Sequence, residues 1–215
     1  MLRNEHHETK IVVRFSNLLY DSLPEGHDVA WVQKYDRPYP DKSSLREISK
    51  NLNECAIREG AGFLQFAHEV AGIQSSEQDI ILYVCPWVKG SISEPGIINP
   101  SRNGNMLKVT LFHEVLHRIF TRNMAYCIDQ PRDVSLRKIW ALQWGADLSF
   151  TTLIHIPVFA LLAQYLSQTS EGEILLQEDR KRHALHPEYA AAWRFVDERG
   201  SLTICEELKL CMGQL

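Results

Sequence analysis

Leu111-Phe112-His113-Glu114-Val115-Leu116-His117-Arg118 carries apolar residues at 111, 112, 115 and 116, continued by Ile119. This is the spacing of one buried face of a helix. Around it the sequence is helical from Met106 onward, with helices expected at about 106–126, 134–152, 157–168, 187–199 and 202–210. Asp133 is suited to cap the second of these, and Gly200 to stop the fourth. Upstream the pattern changes. Asp79-Ile80-Ile81-Leu82-Tyr83-Val84-Cys85 is a continuous apolar run, the signature of a strand covered on both faces. Ile11-Val12-Val13-Arg14-Phe15 reads as another strand, and Val29-Ala30-Trp31-Val32 as a third, with a turn at Pro24-Glu25-Gly26 before it. Between them and the 79–85 run, Ser43 or Ser44 caps a helix through Leu45, Ile48, Leu52, Cys55 and Ala56. Gly60 and Gly62 are expected to end that helix, and a shorter one to follow at residues 63–73. Glu94-Pro95-Gly96-Ile97-Ile98-Asn99 reads as a short extended segment whose proline restricts it to an edge. Strands first and helices afterwards define an α+β class. The expectation is one domain over 1–215. A small N-terminal sheet, in a mixed half at 1–105, places its edge strand beside the 106–126 helix of the helical half, 106–215.

Composition narrows the functional classes. The chain has 215 residues, 23 basic against 27 acidic, and a net charge of −4. Wholesale binding to nucleic acid or to an anionic membrane through a basic face is therefore not expected. No apolar run approaches the length of a membrane span, and the polar start Met-Leu-Arg-Asn-Glu-His-His-Glu lacks the apolar core of a secretory signal. The five cysteines (Cys55, Cys85, Cys127, Cys205, Cys211) are dispersed, with no Cys-x-x-Cys pair. That pattern suits a reducing compartment and gives a cytoplasmic expectation. Oligomeric state is not legible in the sequence.

The chemistry concentrates in His113-Glu114-Val115-Leu116-His117. Residues four apart share a helical face, so His113 and His117 can offer imidazole nitrogens to one metal ion, with zinc the expected metal. Glu114 lies beside the first histidine and can act as general base on an attacking water. This motif, preceded by a strand and an edge-like segment, resembles the zincin metallopeptidases, and more loosely their gluzincin branch. The resemblance covers residues 79–152, about a third of the chain. It implies a zinc-dependent peptidase acting on a peptide or protein substrate. It also implies that residues 93–99 form the edge strand that pairs with extended substrate. A later histidine or tyrosine, here His186 or Tyr189, would steady the oxyanion of the reaction.

The third ligand departs from the gluzincin pattern. The matching stretch, Gln143-Trp144-Gly145-Ala146-Asp147, has glutamine where that branch places its ligand glutamate. Asp147 is the lone acidic residue of an apolar helix. In an antiparallel hairpin of helices 106–126 and 134–152 it would lie level with His113. His155 is the alternative, a single polar ring just before Pro157, where a helix break could aim it at a metal. Both stand as candidates, with His183, His186 and Glu188 next. Gln177-Glu178-Asp179-Arg180-Lys181-Arg182 reads as a solvated loop or helix face. Trp140, Trp144 and Trp193 fall at helical spacing and belong to a core. The alternative to a peptidase is a zincin-like scaffold that binds metal or a partner while the missing glutamate impairs catalysis.

Overall fold

The computed structural model describes residues 9–93, 95–102, 104–122 and 136–212. Three strands form a parallel sheet in the order β1-β2-β3: β1 (Lys10–Phe15), β2 (Asp79–Val84) and β3 (Ile97–Ile98). Lys10 pairs with Asp79 and Phe15 with Val84, so β1 and β2 run in register along their whole length. β2 is central, and Ile80, Leu82 and Val84 on one of its faces are buried while Ile81 and Tyr83 are half-buried. The continuous apolar run is therefore fully covered on one face and partly covered on the other.

Before β2 come α1 (Asn17–Asp21), α2 (His27–Tyr35) and α3 (Lys42–Ala71). Two expectations fail in this half. Val29-Ala30-Trp31-Val32 lies within α2 and forms no strand. Trp31 alone of its apolar residues is buried, against Tyr35 and Tyr39, and Val29 and Val32 are exposed. One aromatic anchor on a helix has overridden a β-branched tetrapeptide, because strand propensity depends on neighbours to pack against. Nor do Gly60 and Gly62 end the long helix. α3 starts behind Asp41, whose side chain accepts from the Ser44 N–H at 2.7 Å, and runs thirty residues to Gly72, which adopts φ +69°. Gly60 is a packing position: a Cβ there would lie 3.1 Å from Ile11 Cδ1, so its absence lets α3 close onto β1.

The helical half comprises α4 (Asn105–Arg122), α5 (Leu136–Trp144), α6 (Phe150–Leu166), α7 (Ser170–His183), α8 (Pro187–Arg199) and α9 (Ser201–Met212). Cys127, the proposed cap Asp133 and the expected end of the 106–126 helix lie outside the described residues. The expected helix 134–152 is interrupted at Gly145, φ +133°, and the chain turns through 146–148. Ser149 then caps α6 by accepting from the Thr152 N–H at 3.2 Å. α6 thus begins seven residues before Pro157, and the proline sits inside it. A proline there removes one ladder hydrogen bond, a cost that burial offsets. Every residue from Thr152 to Ala163 is buried, and α6 touches α3, α4, α5, α7, α8 and α9. The 177–182 run belongs to α7, which buries Asp179, so the run is not solvated throughout.

One buried apolar cluster runs from Ile11 in β1 to Leu208 in α9. Phe63 of α3 stacks on Phe112 of α4 with ring centroids 4.2 Å apart. Trp140, Trp144 and Trp193 are buried, as their spacing implied. Among the described residues no helix is long and apolar enough to cross a membrane. Arg118, directly after His117, donates to both oxygens of Glu77 at 2.9 and 2.8 Å, tying α4 to the segment that enters β2.

Candidate metal centre

His113 and His117 project from adjacent turns of α4, and α6 brings His155 against them. His117 Nε2 lies 3.0 Å from His113 Nε2 and 3.1 Å from His155 Nε2. All three donor nitrogens fall within 4.8 Å of one another. Tetrahedral coordination with bonds of 2.0–2.1 Å places ligand nitrogens about 3.3–3.4 Å apart, so the three imidazoles fit one ion with a small adjustment. Hydrogen bonding does not satisfy the cluster equally well. A neutral imidazole nitrogen either donates or accepts, and His117 Nε2 faces two others at once.

The tautomer of His155 is fixed by its surroundings. Its Nδ1 lies 2.7 Å from the Thr151 carbonyl, which can only accept, so Nδ1 carries the proton and Nε2 presents a lone pair to the cluster. A backbone carbonyl behind a ligating imidazole is the usual orienting arrangement in metal sites. Burial holds all three rings neutral. It drives His113 and His117 well below the ordinary imidazole range, with neighbouring histidines adding to the effect, and lowers His155 to about 4. A neutral imidazole is the form that binds a metal.

Glu114 follows His113 on α4 and is 6% exposed. Burial raises its carboxyl to about 8, opposed in part by the positive charge of Arg102. It opens into a cavity of about 620 Å³ that His113 also lines. Across this cavity stands a second polar group. His183 Nδ1 is 2.9 Å from Asp179 Oδ2, and Asp179 Oδ1 accepts from Arg102 at 3.4 Å. Asp179 and His183 are 1% and 2% exposed, so each needs the other. The His183 ring lies 5.9 Å from that of His113 and 5.1 Å from that of Tyr189.

The structure therefore brings His113, Glu114, His117 and His155 together and leaves Asp147 out. Asp147 is exposed on the turn between α5 and α6. The hairpin geometry that favoured it assumed an unbroken helix through Gly145. Gln143 is also exposed, and its side-chain oxygen accepts from Cys211 Sγ at 3.3 Å. Among the later candidates Tyr189 is half-buried, 4.3 Å from the His155 ring, while His186 and Glu188 are exposed at the start of α8, on the cavity lining. The sequence reading missed the Asp179–His183–Arg102 group. Its signal was the four-residue spacing of Asp179 and His183, hidden in a run whose alternating charges suggested solvent.

The expected substrate edge is also altered. β3 lies at the sheet edge and packs beside α4, but its outer side is closed. Ile97 N–H and C=O both bond Ile92, at 2.7 and 2.9 Å, and Asn99 N–H donates to Ser91 Oγ at 2.8 Å. Comparison with protein-family models, curated proteins and solved structures gives no match.

Proposed function

We propose that this chain is a zinc-dependent hydrolase of amide bonds, a peptidase of zincin type in its active-site helix. The observation that carries this reading is the convergence of His155 Nε2, its lone pair directed by Thr151, on the paired nitrogens of His113 and His117. Three imidazoles with an adjacent glutamate form a donor set suited to zinc with a position left for substrate or water. Gln143 lies away from the cluster, so its amide in place of a glutamate gives no reason to expect impaired catalysis.

When bound, zinc would supply Lewis acidity at the scissile carbonyl and ease deprotonation of water. The remaining steps belong to the chain. Glu114 faces the cavity and takes a proton from the attacking water, then delivers it to the leaving amine. Tyr189, which lines the cavity, can donate to the developing oxyanion. Thr151 holds His155 in its ligating tautomer.

The test is metal content and hydrolysis measured on the same preparations. The wild-type protein should carry about one zinc per chain. Glu114→Gln should keep that zinc and lose hydrolysis of a mixed peptide pool. Undiminished zinc in His113→Ala/His117→Ala would overturn the metal site. Zinc lost together with activity in Glu114→Gln would overturn the role of the glutamate.

A further inference from the structure

The cavity beside the histidines has a charge opposite to that of the chain. The protein carries −4 overall, yet Lys34, Lys89, Arg102 and Arg182 line this cavity against Glu114 and Glu188. Asp179 neutralises Arg102 from behind, which leaves the three cations Lys34, Lys89 and Arg182 against the two carboxyls Glu114 and Glu188. These cations come from three separate places: α2, the β2–β3 connection and the end of α7. Lys34 is anchored by donating to the Val88 carbonyl at 2.7 Å, and Arg182 lies 3.4 Å from His183 Nε2. A concave site with an excess of one sign of charge concentrates ligands of the other sign.

Shape adds a second constraint. Strand addition needs free N–H and C=O groups along an edge, and those of Ile97 are taken by Ile92. What remains is a cavity of about 620 Å³, within the size range of sites for small molecules.

We propose that the substrate is a small acylated amino acid or dipeptide whose free carboxylate is held by Lys89 and Arg182, rather than an extended protein segment. This rests on the amide-hydrolase reading for the bond that is cut. The carboxylate lies toward the cavity mouth, and the amide it flanks lies toward Glu114. A phosphate group would meet the same cations, so the two anions must be separated by experiment.

The probes are N-acetyl dipeptides as free acids, the same peptides as C-terminal amides, and inorganic phosphate. Binding is measured by calorimetry on zinc-loaded Glu114→Gln protein, and hydrolysis on the wild type. The free acids should bind at least about tenfold tighter than the amides, the size of a charge-assisted hydrogen bond to the carboxylate. Lys89→Ala/Arg182→Ala should erase that ratio while leaving zinc content and thermal stability unchanged. Equal binding of acid and amide, or a ratio that survives in the double variant, would overturn the proposal. Displacement by phosphate at concentrations where the peptide acid binds would overturn the carboxylate assignment. Acid preference without hydrolysis of any peptide would sink the hydrolase reading and leave Lys89 and Arg182 as a carboxylate-binding site only. Hydrolysis without acid preference would sink this proposal and keep the hydrolase reading.

Discussion

Replacing His155 by alanine should remove most of the stabilisation that zinc confers, while replacing Asp147 should remove none. Zinc that binds only the folded chain adds about 4.1 kcal/mol when free zinc is 1,000 times Kd. For a chain of this length each kcal/mol moves Tm by about 2–4 °C, so zinc should raise the wild-type Tm by about 8–16 °C. Loss of an orienting group behind a ligand costs 10–100-fold in affinity, and loss of the ligand itself should cost more. At the same free zinc, a hundredfold weaker site leaves a ratio of about 10, hence about 1.4 kcal/mol and a rise of about 3–6 °C. His155 is buried beside Phe159 and Tyr189, and its truncation also frees the Thr151 carbonyl, so the zinc-free Tm of His155→Ala will itself fall. The quantity to compare is therefore the zinc-dependent increment of each variant, read by calorimetric scans with buffered free zinc. Asp147 is exposed on its turn, and Asp147→Ala should keep the full increment. A full increment in His155→Ala, or one lost in Asp147→Ala, would refute the three-histidine centre.

The buried imidazoles should cost the zinc-free protein stability as pH falls below about 6.5, because the unfolded chain takes up protons that they refuse; Glu114, whose raised carboxyl binds its proton first in the folded chain, works in the opposite direction. His155, lowered from 6.5 to about 4, accounts for about 3 kcal/mol of this, present above pH 6.5 and gone by about pH 4. Urea titrations at intervals across that window should show a flatter decline for His155→Phe than for wild type, and parallel declines would refute the assignment. Gly96→Ala should destabilise by about 1–3 kcal/mol, since its Cβ would lie 2.7 Å from the Ile81 carbonyl oxygen and force β3 away from β2. An unchanged denaturation midpoint would show that the edge strand is less tightly seated than this contact implies.

Local sequence carried the first part of the candidate site. The spacing of His113 and His117 fixes their common face once a helix forms, and Leu111, Phe112, Val115 and Leu116 bury the helix that forms it. Glu114 follows by adjacency. Strand β2, helices α8 and α9, and the stop at Gly200 were legible for the same reason: each is specified by neighbours within a few residues. The failures share the opposite property. Gly60 resembled a stop and is a contact with Ile11, forty-nine residues away. Val29–Val32 resembled a strand, but among the described residues no strand lies beside it to pair with, and Trp31 draws it into a helix.

The third histidine belongs to this second kind. His155 is thirty-eight residues from His117, and its approach depends on where α6 begins and how it lies against α4. Ser149 caps α6 in the structure, whereas Pro157 gave the stronger local signal in the sequence, and only burial of α6 within the helical half let the helix run through it. Asp179 and His183 were likewise written in the sequence at helical spacing, but their pairing follows from the burial of that face of α7 beside Arg102. The sequence by itself determined an α+β chain with two imidazoles and a carboxylate on one helix. Which residue completes the cluster, and which charges surround it, was decided by packing, because a helix fixes distances along itself and only its contacts fix distances to another.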